Sequence, residues 1–326
     1  MRKLLYILSC GLILAACTEK EHMDDAYRNI QMRAYIGEPA VTTKSEPVEA
    51  VPWRGTVPSN SYNLPVKLLL SLETGVYSSV PTSTNFLPCH TTLTYNDNTY
   101  KDPNAVTYTP AGGSELTGQP KYPSSRDGEG NATLVYCSGL YPQEWDVAAD
   151  GKSASIAVDG TLDIMYAPEI SGSLDVHFGP QNYQHQLSWI KLYVCSTTHE
   201  ASELWGNIEE VSIVSNNKVT IDLGTGVLTP TGNMVEYPTH TDPIPLETTV
   251  ASVGSIFCAP AASYTVKIKT SNSNEVQSVE INAPAGAGSF KSGELYVLEV
   301  YFTTTEVKGA CTLAQWEYQD EDLNVS

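Results

Sequence analysis

His199-Glu200 is the pair in this 326-residue chain that comes nearest to a hydrolytic motif. In a His-Glu-x-x-His helix, two histidines one turn apart hold zinc while the Glu takes a proton from the bound water. Four residues after His199 stands Glu203, so the second ligand is missing and no metal is expected. Asp127, Glu129 and Asn131 have the alternate spacing of oxygen ligands in a calcium loop, but Ala132 replaces the Gly of the turn and Ser138 the closing Glu. A solvated turn is the expectation there. Glu209-Glu210 and Asp320-Glu321-Asp322 are neighbours in sequence, which says nothing of the roughly 5–10 Å gap that two glycosidase carboxylates need across a cleft. No Gly-x-Ser-x-Gly elbow, P-loop or strand-borne Gly-x-Gly-x-x-Gly is present. The chain therefore reads as non-enzymatic, with no catalytic residue, no cofactor and His177 and His185 as structural histidines. An aromatic sugar platform is a different chemistry: Trp189 and Trp316 lie in strand patterns, leaving Trp53, Trp145 and Trp205 as its better-exposed candidates.

Cys17 is the thiol in the most specific setting. Arg2 and Lys3 precede an apolar run from Leu4 to Leu14, too short to cross a bilayer as a mature helix, and Leu14-Ala15-Ala16-Cys17 follows. Small residues directly before a Cys resemble the bacterial lipobox, so residues 1–16 are expected to be a signal peptide and Cys17 the acylated new N-terminus, a lipid anchor to a membrane. Thr18 is not the Asp of an inner-membrane retention signal, which favours the outer membrane; the acidic tether 17–29 is similar to surface-export tracts. Beyond Cys10 and Cys17, the five cysteines Cys89, Cys137, Cys195, Cys258 and Cys311 are 48 to 63 residues apart, without a Cys-x-x-Cys. Cys137, Cys195 and Cys258 sit in apolar runs and read as small core residues.

The elements that would position such groups are strands. Apolar residues alternate along short segments punctuated by turn residues, with almost no helical period, at Ile30–Ile36, Leu64–Leu72, Gly75–Val80, Ala132–Tyr141, Leu174–Phe178 and His185–Cys195. Hairpins are expected around Asp159-Gly160 (155–158 with 161–166), Asn216-Asn217 (211–214 with 218–223) and Ser271–Asn274 (264–269 with 276–281), and Leu295–Thr303 and Glu306–Trp316 end the set. The stretch from Glu38 to Asn63 is rich in Pro, Thr, Ser and Glu and reads as a long accessible connection. Length favours two domains, and this pattern predicts two antiparallel β-sandwiches, 30–167 and 168–326. A net charge of -19, moving to -21 when Arg2 and Lys3 leave with the leader, speaks against nucleic acid as a partner.

Several segments together resemble the fimbrillin family of Bacteroidota, the type V pilus subunits and their Mfa-like relatives. They are the lipobox leader; Ile30–Ile36 followed by Thr42-Thr43-Lys44; Gly139-Leu140-Tyr141-Pro142; Asp163–Ala167; His185-Gln186-Leu187-Ser188; and Gly293-Glu294-Leu295-Tyr296 through Gln315-Trp316. The resemblance implies two transthyretin-like sandwich domains and a surface-exposed outer-membrane lipoprotein. It also implies that a trypsin-like protease removes the first strand, here after Lys44 or Arg54, and that a strand from another fimbrial subunit takes its place. The implied partners are other fimbrial subunits, the outer membrane through the lipid, and host or bacterial surface glycans or proteins. A surface glycan-binding lipoprotein is the alternative.

Overall fold

The computed structural model describes residues 29–30, 32, 34–36, 61–78, 83–84, 86, 88–96, 105–109 and 120–314. The expected signal peptide, residues 17–28 of the tether, Cys17, Lys44, Arg54, Trp53 and Trp316 lie outside the described residues.

Among the described residues the chain is all-β with one short helix. Seven strands close a barrel in the order β1 (Ala34–Ile36), β4 (Ala105–Thr109), β3 (Cys89–Asn96), β2 (Ser61–Ser71), β5 (Val135–Tyr141), β8 (Met165–Gly172) and β9 (Gln181–His185). A four-stranded sheet runs β14 (Ala251–Cys258), β10 (Ser188–Ser196), β17 (Leu295–Phe302), β18 (Val307–Ala314). The third sheet runs β16 (Gln277–Asn282), β15 (Ser263–Thr270), β11 (Asn207–Asp222), β7 (Ser153–Ala157), β6 (Asp146–Val147), and β12 (Leu228–His240) and β13 (Ile244–Pro245) also pair with β11. Helix α1 (His199–Trp205) starts where the Thr198 hydroxyl accepts from the Ala201 N–H at 3.2 Å and stops at Gly206, whose φ of 75° suits Gly.

Alternation places the core. Along β10, Ile190, Leu192 and Val194 are buried while Lys191, Tyr193 and Cys195 are half-buried, as fits a strand flanked antiparallel by β14 and parallel by β17. Those three residues pack in one cluster with Ile208, Val211 and Ile213 of β11 and Val266 and Ile268 of β15, which fills the space between the second and third sheets. A second cluster joins Leu69, Leu140, Trp145 and Tyr166 to Trp189, Val219, Ile221 and Phe257, so barrel strands share a core with strands of the other two sheets. Strand β7 is part of the reason: it leaves the barrel and pairs with β11 over five residues, from Ser153 opposite Asp222 to Ala157 opposite Lys218. Residue 167, where the sequence divides the two expected domains, lies within β8.

Four expectations are corrected. The segment 155–158 does not form a hairpin with 161–166. The Asp159 carboxylate accepts from the Thr161 and Leu162 N–H groups at 2.8 and 2.9 Å, and Gly160 O accepts from Phe257 N at 2.9 Å, so the turn is tied to β14 and β7 goes to β11. Asn216-Asn217 is not a turn: β11 runs unbroken through it, with a register shift between Asn216 and Lys218, and the Asn217 side chain accepts from Asn233 N at 2.9 Å on β12. Among the described residues of 75–80 there is no strand, because Tyr77 is held by its N–H to Gly151 O at 2.7 Å and by its hydroxyl to Glu169 at 2.6 Å. Leu174–Phe178 is a tight loop in which Ser173 N donates to Val176 O at 2.7 Å. The 271–274 hairpin and the two closing strands form as expected, and β17 pairs antiparallel with β18. Strands β12 and β14 are not legible in the sequence: β12 carries Pro230 and Pro238 and buries only Tyr237, while β14 lacks a clean alternation and holds Gly254, at φ 106°, where its pairing with β10 shifts register.

Candidate functional site

The candidate site is the seat of the first strand. β1 pairs antiparallel with β4, Ala34 opposite Val106, and parallel with β9, Ala34 opposite Gln181 and Ile36 opposite Tyr183, so it is the strand through which the barrel closes at its N-terminal end. Just before it, Ile30 N donates to Pro120 O at 3.0 Å and Asn29 bridges to Lys121. Successive side chains of an extended strand alternate between faces. Ile30 and Ala34 are accordingly both buried, and Met32 between them is half-buried.

The two buried side chains enter different surroundings. Ile30 packs in a cluster with Leu68, Leu70, Tyr122, Val135, Cys137 and Phe178. Ala34 packs with Leu64, Val66, Tyr141, Met165, Ala167 and Tyr183. The floor under the second cluster is Gly139, the first residue of the Gly-Leu-Tyr-Pro segment: a Cβ there would stand 2.2 Å from the Tyr183 hydroxyl and 3.1 Å from the Ala167 Cβ. Only the absence of a side chain lets the buried Tyr183 ring lie where it does. Gly172 does the same for the Ile30 side, since its Cβ would meet Phe178 N at 2.8 Å and the Tyr122 hydroxyl at 2.9 Å. Polar contacts here include Tyr122 OH accepting from Phe178 N at 2.9 Å and Gln181 Nε2 donating to Cys137 O at 3.1 Å. Burial pushes the Cys89 thiol up to about 12 and Cys137 well above its ordinary range, so both are inert apolar fillers at neutral pH. The seat can grip an extended strand by ladder hydrogen bonds and apolar side chains.

Three segments far apart in sequence meet beside this seat. His185 Nδ1 pairs with the buried Asp163 carboxylate, and Gln186 N donates to Ile164 O at 2.8 Å. Gly293 N donates to Leu187 O at 2.9 Å, Trp189 N to Glu294 O at 3.0 Å, and the Ser188 hydroxyl to Lys291 O at 2.9 Å. His185 ends β9, the parallel neighbour of β1, so this knot anchors one wall of the seat.

The other candidate residues are scattered. Asp127 spends its carboxylate on Glu129 N, Asn131 N and Asn131 Nδ2, each at 2.9 Å, which makes the 127–131 segment a self-capped exposed turn. These bonds, the side chain of Asn131 first, hold the Asp127 carboxyl below its ordinary range. His199 and Glu203 are an exposed pair 3.4 Å apart on α1. Cys137 and Cys258 are buried and Cys195 is half-buried; the described cysteines are free thiols. Trp145, expected at an exposed sugar platform, is instead fully buried, with its indole N–H donating to Tyr141 O at 3.0 Å. Trp205 is half-buried, edge-on to Phe302 at 5.5 Å, and its N–H donates to Thr303 O at 2.7 Å. The Trp145 ring has no open face to stack on a sugar. Trp145 stands in a Pro- and acid-rich loop sequence, which hides that a cis Tyr141-Pro142 turn folds it back under β5. Among the described residues no three His, Cys, Asp or Glu side chains gather as metal ligands, and no helix is long and apolar enough to cross a membrane.

No family model matches the chain, and no curated protein matches it. Solved structures do. A candidate cell adhesion protein from Bacteroides uniformis superposes with a TM-score of 0.53 over 88% of this chain and 99% of its own, at 16% identity. A candidate cell adhesion protein from Parabacteroides distasonis gives 0.54 over 89% and 98%, at 10% identity. The chain shares their fold along nearly its whole length.

Proposed function

We propose that the chain is a non-enzymatic, surface-displayed subunit of a fimbrial or adhesive assembly, of the fimbrillin type, built of two tandem β-sandwich domains and joined to its neighbours by strand exchange at the seat of β1. The observation that carries this reading is the seat itself. A short N-terminal strand closes the barrel, and 24 residues separate it from β2. Taking it away would strip β4 and β9 of their ladder partner and uncover the apolar clusters around Ile30 and Ala34, a state that another extended strand would relieve on both counts. The fold shared with two candidate cell adhesion proteins supports the surface role. In this reading Cys17 carries the lipid that holds the precursor at the outer membrane, and a cut after Arg54 or Lys44 releases the first strand; the strongly negative surface keeps the displayed body soluble.

The test uses the full precursor lacking only its leader. Brief trypsin treatment is expected to cut between residues 37 and 60, and the cut chain is expected to form a ladder of oligomers that withstands detergent at room temperature and collapses on heating. A cut chain that remains a monomer and keeps its first strand through gel filtration defeats the exchange reading. Mass spectrometry of the N-terminus in cells decides the anchor: a diacylated or triacylated Cys17 supports it, and an unmodified Thr18 or later start in all membrane-associated protein removes it.

A further inference from the structure

We propose that the seat of β1 selects its occupant by the size of two side chains four residues apart, taking an extended segment of a neighbouring subunit with a large aliphatic residue at the Ile30 position and Ala, Gly or Ser at the Ala34 position. The proposal rests on the strand-exchange reading above and adds the chemistry of the partner to it. Ladder hydrogen bonds are blind to sequence, so any choice among strands must come from the inward side chains. Among the described side chains of residues 29–36, Ile30 and Ala34 are the two that are fully enclosed, and they are of unlike size.

The Ile30 end is wide, since Tyr122 and Phe178 stand over it with ring centroids 5.6 Å apart and Leu68, Leu70 and Val135 complete the wall. A small residue there leaves a cavity in a buried apolar cluster. The Ala34 end is closed. Tyr183 is a wall of that cluster, and it has no room to retreat, because it already lies across Gly139 in a space that a single methyl group would overfill. Ala167, on the same floor, is itself reduced to a methyl. A branched residue at position 34 would push against a ring held from behind. Polarity is set by the walls as well: β9 is parallel and β4 antiparallel, so the occupant runs from the Pro120 end toward Tyr183.

The experiment uses the full mature chain with one inserted site for a sequence-specific protease between residues 37 and 60, cut once after folding. Fluorescent peptides spanning Arg28–Gly37 are then added in excess: the native sequence, Ala34→Gly, Ala34→Leu, Ile30→Ala and a scrambled control. The native and Ala34→Gly peptides are expected to enter the seat, and Ala34→Leu and Ile30→Ala to bind at least about tenfold more weakly. Ala34→Leu or Ile30→Ala binding within about threefold of the native peptide overturns the size rule while exchange itself stands. Native peptide uptake no greater than that of the scrambled control, with the resident strand shown to have been released, overturns strand exchange and with it the basis of the rule.

Discussion

Gly139→Ala is a one-methyl test of the wedge beneath the first strand. The new Cβ would sit 2.2 Å from the Tyr183 hydroxyl oxygen and 2.6 Å from the ring carbon that bears it, where ordinary contact begins at 3.4 Å. The ring must therefore move by roughly 1 Å within the cluster it shares with Ala34 of β1. Tyr183 is fully buried, so it has no solvent to swing into. Overpacking of this kind costs about 1–3 kcal/mol. Against it stands the roughly 0.5–1 kcal/mol that Ala ordinarily gains over Gly within a strand. The net expectation is a loss of about 1–2 kcal/mol, read as a melting temperature lowered by about 2–8 °C. Two assays check it: calorimetry of the leaderless chain, and the rate at which trypsin releases the first strand, which should rise because the displaced ring presses on its seat. Tyr183→Leu, which removes the clashing atoms, costs stability alone but should recover part of the Gly139→Ala loss in the double variant, with a coupling of about 0.5–1 kcal/mol or more. A Gly139→Ala chain as stable as the parent, or strictly additive losses in the double variant, would refute the wedge.

Asp163→Ala removes one partner of the buried pair with His185 and is expected to cost about 3–5 kcal/mol, with the largest rise in hydrogen exchange along β9; a loss under about 1 kcal/mol would show that the pair anchors nothing. The buried thiols and phenols set the alkaline limit. Burial raises Cys89 and Cys258 from 9.0 to about 12, and Tyr122 and Tyr237 from 10.0 to about 12. Because the folded values lie above the unfolded ones, the neutral forms favour folding fully below about pH 9, and that contribution drains away as the pH climbs toward 12. Urea midpoints should stay level from pH 7 to 9 and then fall, and Cys89, Cys137 and Cys258 should resist iodoacetamide at pH 8 until the chain unfolds. Prompt native alkylation of Cys137 would contradict its burial.

Most strands were legible because burial on one face leaves an alternation that can be read locally, as in Leu64–Leu70 or Ile190–Val194. What could not be read was which strand pairs with which. Asp159-Gly160 and Asn216-Asn217 both have the composition of hairpin turns, and neither joins a hairpin: the first is a turn tied to β14 through Phe257, and the second is carried straight through by β12 on one side and β7 on the other. Those partners lie up to about a hundred residues away, beyond any local rule. β12 escaped notice because its faces are mostly exposed and its prolines resemble loop residues. For the site, the first strand and the Gly-Leu-Tyr-Pro, Asp163–Ala167 and His185–Ser188 segments were visible as pieces. That Gly139 floors Tyr183 and that Asp163 meets His185 depends on the barrel having closed. Trp145 shows the opposite failure, since a tryptophan in polar company proved to be wholly interior.

The route of β7 has a mechanical side. The chain passes from barrel strand β5 into the third sheet at β6 and β7, returns to the barrel for β8 and β9, and leaves again into β10. Barrel and outer sheets are thus stitched by three separate crossings and a five-residue ladder between β7 and β11. Tension pulling one end of the molecule away from the other cannot be taken up by a single slack hinge. It must shear that ladder and tear the shared cluster around Trp145 and Trp189, so under load the chain is expected to respond as one stiff link rather than as two beads on a string.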